Sequence, residues 1–179
     1  MLFQNYGLFW HADRVGWGSP GVTGELLGYR TIADGDVDFR PQRGVYALYD
    51  DKFALIYVGQ AGYNDRARLY DRMNAHRVDH LAERWQRFSW FGIDPVKGRK
   101  GAKTVVETDP KTSNTATVLN HLEGILIATA EPRLNLQGGR FGDAQQFYQT
   151  DCGDYTVQQK LDELQKQVSG LEKLVGKAL

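Results

Sequence analysis

The chain contains a single cysteine, Cys152, among 179 residues. No intrachain disulfide framework can form and no cysteine cluster offers a structural zinc site, so a reducing cytosol is the expected compartment. Long apolar runs are missing too, since no stretch approaches the roughly 18–20 residues that a membrane-spanning helix needs. The first residues, MLFQNYGLFWHADRVGWG, lack the basic segment and long apolar run of a secretory leader. Net charge is also absent, at a formal +0. That balance hides a division. Residues 1–39 carry 2 Lys/Arg against 5 Asp/Glu, residues 40–103 carry 13 against 7, and residues 104–179 carry 7 against 10. A basic block thus sits inside a neutral protein; it suits a polyanion such as nucleic acid, or is simply a solvated surface.

What is present is enough apolar side chain, 41% of the residues, for one good core with an appendage. Residues 1–42 are rich in aromatics and glycines, with a strand expected near Tyr6–Trp10 and irregular chain after it. The runs VYALY and FALIYV, separated by a short polar turn, predict a hairpin. Their apolar residues fall on both faces, so both strands are expected to be central and covered. A helix is predicted over 64–84, with Asn64 or Asp65 as its N-cap, and RFSWFGI at 87–93 is a third strand. PVKGRKGAK reads as a basic loop and TVVETD as a short strand. The capping-type stretch PKTSNT precedes a second helix over 114–130, stopped by Pro132, and glycine-rich QGGRFGD then interrupts regular structure. Strand-strand-helix-strand-helix makes an α+β or mixed α/β unit of roughly 100 residues.

From residue 155 the chain places Val157, Leu161, Leu164, Val168, Leu171 and Val175 at alternating spacings of four and three. That is a short heptad seam. It suits an amphipathic helix docked on its own domain, or a helix that joins a homodimer or a partner protein.

The stretch GVYALYDDKFALIYVG, residues 44–59, is nearly its own mirror image. If Asp51-Lys52 forms a two-residue turn, Tyr46 lies opposite Tyr57 and Gly44 opposite Gly59. Two phenols would then share one face of the hairpin beside glycines that admit another backbone or a ligand. A structural aromatic pair would look the same.

The halves GVY (44–46) and YVG (57–59) resemble the signature of the GIY-YIG nuclease superfamily. The continuation resembles it as well: Arg72 and His76 in RMNAH, Glu123 in HLEGILI and Asn135 in EPRLN follow in the family's order. Val45 and Val58 stand where isoleucine is usual, and Arg68 is a rival to Arg72. The resemblance implies an α+β domain over about 43–150, with a central antiparallel three-stranded sheet flanked by helices. Residues 1–42 would then be an extension packed on it, and 155–179 a C-terminal helix. It further implies a divalent-metal-dependent endonuclease acting on DNA. A restriction- or defence-type enzyme cutting both strands would want a dimer, which the heptad tail could supply. A homing- or repair-type enzyme usually carries a separate DNA-binding domain, for which 1–43 and 138–179 leave little room. The alternative is an inactive nucleic-acid-binding or protein-interaction module with the same fold.

Each implied role has a physical basis. Hydrolysis of a phosphodiester needs an activated water, neutralisation of the phosphorane-like charge and help for the leaving oxygen. By resemblance Glu123 would hold Mg²⁺ or Mn²⁺; with Leu119, Leu126 and Ile127 around it, the carboxylate reads as interrupting an apolar helix face. Arg72 suits a scissile phosphate because its guanidinium is planar and always charged. His76, one helical turn on, suits a tyrosine partner or proton transfer. Tyr46 is implied as the general base or water-orienting group with Tyr57 in support, and Asn135 as an orienting residue. Zinc held by His76 and His80 would lack a third ligand. Arg68, Lys97, Arg99, Lys100 and Lys103 are the candidate phosphate contacts, which give affinity without reading sequence.

Overall fold

The computed structural model describes residues 2–62, 66–108, 115–131 and 141–152, with the side chains of the second helix from residue 120 onward. Asn64 and Asp65 as caps, most of PKTSNT and of QGGRFGD, the side chain of Leu119, the stop at Pro132, Asn135 and the 155–179 seam lie outside what is described. In chain order the elements are β1 (Asn5–His11), β2 (Leu27–Tyr29), β3 (Val37–Asp38), β4 (Gly44–Tyr49) and β5 (Leu55–Ala61). They continue as α1 (Leu69–Ala75), β6 (Arg87–Gly92), β7 (Val96–Arg99), β8 (Ala102–Val105), α2 (Thr115–Ala130), β9 (Gln145–Gln146) and β10 (Tyr148–Gln149). The fold is α+β.

Among the described residues the main sheet has five strands in the order β5-β4-β6-β1-β9. The expected antiparallel trio β5-β4-β6 is one side of it. Residues 1–42 do more than pack on that trio, because β1 pairs antiparallel with β6 and parallel with β9 inside the same sheet. Central position explains why VYALY shows no polar alternation: β4 is paired on both sides and buried from Tyr46 to Tyr49. β5 departs from expectation. It has no described strand beyond it, and Leu55, Ile56 and Val58 remain exposed.

The hairpin turn also differs. Asp50 organises it, its Oδ1 accepting from the Lys52 and Ala54 N–H groups at 2.9 and 2.8 Å. The Asp50 N–H donates to the Ala54 carbonyl at 3.1 Å, and Phe53 takes a left-handed φ of 63°. With this longer loop and a register shift at Leu48/Tyr49, Tyr46 faces Gly59, Gly44 faces Ala61 and Leu48 faces Tyr57. The two-residue turn and the Tyr46–Tyr57 opposition are therefore incorrect.

Strand alternation separates two cores. On one face Tyr46, Leu48, Trp90 and Phe88 pack with Trp10, Phe39 and with Leu69 and Met73 of α1. The Trp10 and Trp90 rings meet edge to face, 5.3 Å between centroids at 88°. On the other face Phe91, Phe3 and Phe141 pack with Val45 and with Ile125 and Ala128 of α2. The His121 ring nitrogen Nδ1 also accepts from the Phe3 N–H at 3.2 Å, tying α2 to the first described residues. The stripe that packs is His121, Gly124, Ile125 and Ala128, whereas Glu123 is exposed beside Leu122 and Leu126. Glu123 thus lies off the apolar face it was expected to interrupt.

The first helix is shorter than expected. Its start is Arg68, whose N–H donates to Asp71 Oδ2 at 2.8 Å, and it ends at His76. Beyond that point Asp79 Oδ1 accepts the Leu81 N–H at 2.7 Å, and Trp85 Nε1 donates to the His76 carbonyl at 3.2 Å. Both bonds occupy backbone groups that a continuing helix would use. The basic stretch expected as a loop is instead the hairpin β7–β8.

A charged clamp holds the start of β4. Arg43 makes a forked contact with Asp94, Nε to Oδ2 at 2.8 Å and a terminal nitrogen to Oδ1 at 2.6 Å. Arg43 also contacts Glu107 at 3.0 Å, and Glu107 contacts Arg68 at 2.8 Å. The Leu69 N–H donates to the Gln42 carbonyl at 2.9 Å. Strand β4 and the N-terminus of α1 are thereby fixed to one another.

Candidate active site

Where β4 and the outermost described strand, β5, run beside α1 lies an open pocket of about 460 Å³, lined by Val45, Tyr46, Tyr57, Val58, Gly59, Gln60 and Arg72. The register places Tyr57 diagonally across from Tyr46, two residues from Gly59, and a diagonal remains within reach of aromatic rings. The centroids are 6.1 Å apart. Gly59 makes this possible, because a Cβ there would collide with the Tyr46 phenol and the Tyr57 ring. Gly44 serves the backbone, since a Cβ there would strike the Phe91 carbonyl oxygen on β6. The glycines of the mirror thus admit the chain's own side chain and backbone.

His76 enters from the end of α1. Its Nε2 lies 2.8 Å from the Tyr46 hydroxyl and its Nδ1 lies 2.7 Å from Asp79 Oδ2. The Tyr57 ring meets the imidazole edge to face at 4.9 Å. Tyr46 and His76 are only 2% and 7% exposed, whereas the Asp79 side chain is 33% exposed, so the chain Tyr46–His76–Asp79 runs from the pocket wall through a buried imidazole to a partly exposed carboxylate. Burial pushes the Tyr46 phenol well above its ordinary range; the neighbouring Tyr57 adds to this and Arg72 opposes it. Asp79 is held below the usual carboxylate range: desolvation pulls it up, and the Leu81 N–H and His76 together outweigh that.

The structure therefore gathers Tyr46, Tyr57, Arg72 and His76 at one place. Asn135 lies outside the described residues. Glu123 is exposed on α2 and does not line the pocket. Among the described residues no group of three His, Cys, Asp or Glu side chains forms a metal cage. An exposed carboxylate with water in the remaining positions still has the donor chemistry for one hard cation, because Mg²⁺ commonly keeps several waters. Of the candidate phosphate contacts, Lys97, Arg99 and Lys100 are exposed on β7–β8. Lys103 pairs with Asp34 at 2.9 Å and Arg68 with Glu107 at 2.8 Å, so these two are already charge-compensated.

Sequence reasoning missed Asp79 and the Arg43–Asp94 clamp. Asp79 carries a readable signal, standing three residues after His76, but that spacing also describes any solvated helix face. The Arg43–Asp94 pair spans 51 positions and has no local signal. No protein-family model, curated protein or solved structure matches the chain.

Proposed function

We propose that the protein is a divalent-metal-dependent endonuclease of the GIY-YIG type, hydrolysing phosphodiester bonds in DNA. One observation carries this reading: Tyr46, Tyr57, Arg72 and His76, distant in sequence, line or adjoin a single open pocket, with the Tyr46 hydroxyl 2.8 Å from an imidazole nitrogen. A phenol is protonated at neutral pH and burial makes this one harder still to deprotonate, so Tyr46 is no standing base. It becomes one when its proton has an acceptor, and His76 Nε2 is positioned to be that acceptor. Arg72 lines the same pocket and supplies a fixed positive charge for the phosphate. Glu123 would hold the cation, which neutralises charge on the reacting phosphate when bound. The exposed Lys97, Arg99 and Lys100 would contact the DNA backbone away from the pocket. Cutting both strands, as a restriction or defence enzyme does, would call for a dimer, and the 155–179 seam is the segment suited to form one.

The position of Glu123 outside the pocket wall favours a second reading, an inactive DNA-binding or protein-interaction module with the same architecture. Plasmid nicking with Mg²⁺ or Mn²⁺ separates the two. The nuclease reading expects wild-type cleavage, abolished by Glu123→Ala and reduced about 100-fold or more by Tyr46→Phe. Equal cleavage by wild type and Glu123→Ala, or none by wild type with any metal or DNA form, sinks it. Sedimentation with and without residues 155–179 tests the dimer; a monomer in both cases removes it.

A further inference from the structure

We infer that Asp79 is a positioning residue that locks His76 in the tautomer able to accept the Tyr46 proton. The inference rests on the nuclease reading of this pocket. An ionised carboxylate only accepts hydrogen bonds, so Asp79 Oδ2 at 2.7 Å requires the hydrogen on His76 Nδ1. In the neutral imidazole Nε2 is then the lone-pair nitrogen, and at 2.8 Å it accepts from the Tyr46 hydroxyl. The hydroxyl, having donated to His76, keeps lone-pair capacity for the neighbouring Tyr57 hydroxyl and for a water in the pocket.

Asp79 itself is held in place. Its other oxygen accepts the Leu81 N–H at 2.7 Å, fixing the carboxylate plane. The His76 carbonyl accepts from Trp85 Nε1 at 3.2 Å, and the Tyr57 ring packs against the imidazole at 4.9 Å. His80 Nδ1 lies 4.0 Å from Asp79 Oδ1 but is mostly exposed, so it is the peripheral member of the group. Turn, strand and helix thus converge on one imidazole orientation.

The proton path follows and balances. A water O–H proton passes to Tyr46 Oη while the phenolic proton passes to His76 Nε2. The hydroxide electron pair forms the new P–O bond. The leaving P–O bond breaks, its pair staying on the leaving oxygen, which takes a proton from solvent. The imidazolium so formed stands against the Asp79 carboxylate, then returns its proton through Tyr46 to solvent.

The test uses the full chain labelled with ¹⁵N-histidine, comparing wild type with Asp79→Ala, Asp79→Asn and Asp79→Glu. Wild-type spectra at a pH where His76 is neutral are expected to show hydrogen on Nδ1. The Ala variant is expected to shift it toward Nε2, and Glu to restore Nδ1. Cleavage turnover is expected to fall about 100-fold or more in Ala and Asn with DNA affinity within twofold of wild type, and to recover in part in Glu. If Asp79→Ala does not fold, the near-isosteric Asn variant carries both readouts. An unchanged tautomer in the folded variants overturns the assignment, and so does a changed tautomer with unchanged turnover. Absence of wild-type cleavage overturns the nuclease reading instead, while the spectra still report whether Asp79 sets the tautomer.

Discussion

Replacing Asp94 by alanine removes the centre of the clamp that fixes β4 to the loop after β6. Asp94 is fully buried, and the Arg43 side chain that grips it is 12% exposed. Removing one member of a buried pair leaves the other charge uncompensated, which costs about 3–5 kcal/mol. Two neighbours act in opposite directions. The Thr108 N–H, which donates to Asp94 Oδ1 at 3.1 Å, loses its partner and adds roughly 1 kcal/mol. Glu107 still reaches Arg43 at 3.0 Å and partly replaces the missing carboxylate. A destabilisation of about 3 kcal/mol remains, a large share of the roughly 5–15 kcal/mol typical of a folded protein. With a urea m-value near 2 kcal/mol/M, the midpoint should fall by about 1.5 M. The double variant Arg43→Met with Asp94→Leu should recover most of that, because an apolar pair of similar volume needs no charge compensation. A loss below about 1 kcal/mol for Asp94→Ala, or a double variant no better than the single one, would refute the clamp as the anchor of β4.

Two further expectations concern the phenols and the surface cations. Burial raises the pKa of Tyr6, Tyr46, Tyr49 and Tyr70 above the ordinary value near 10. Above pH ~10 the unfolded chain loses these protons before the folded one does, so stability is full below that pH and falls as pH rises towards the folded values. Urea midpoints from pH 8 to 11 should show the decline, and Tyr46→Phe should make it shallower; a flat profile would refute the burial argument. For DNA binding, replacing Lys97, Arg99 and Lys100 together should reduce the magnitude of the salt slope by roughly 2–3, at about 0.9 for each phosphate no longer neutralised. Lys103→Ala should change it less, because Lys103 is already paired with Asp34. Fluorescence anisotropy between 50 and 200 mM salt checks both, and an unchanged slope in the triple variant removes β7–β8 from the interface.

The parts of the fold legible in the sequence are those written in local pattern. Apolar runs broken by a polar turn mark β4 and β5, and RFSWFG marks β6. The second helix, expected over 114–130, spans Thr115–Ala130. Errors arise where a side chain overrides the local pattern. The first helix stops at His76 because Asp79 and Trp85 take the backbone groups that helix would have used, and periodicity alone does not show such captures. The extent of β1's role is hidden for another reason. Its partners, Arg87–Gly92 and Gln145–Gln146, lie more than 70 residues away, and a strand's sequence does not encode its partner's position.

The mirror in GVYALYDDKFALIYVG shows how a wrong register can still lead to the right neighbours. Direct opposition would set Tyr46 against Tyr57; the Asp50-organised turn slides the strands so that Tyr46 meets Gly59. A slip of one residue would have sent one phenol to the other face, but here the partner moves by two, and a period of two preserves the face. Tyr57 therefore stays beside Tyr46, now on the diagonal, and the glycine becomes the site that receives the Tyr46 ring. The shift also has a chemical consequence. By lying across Gly59 instead of against Tyr57, the Tyr46 hydroxyl reaches His76 Nε2, while Tyr57 covers the imidazole face. A Cβ at position 59 would collide with the Tyr46 phenol, so the second glycine of the mirror, inside strand β5, is what lets that hydroxyl sit beside His76.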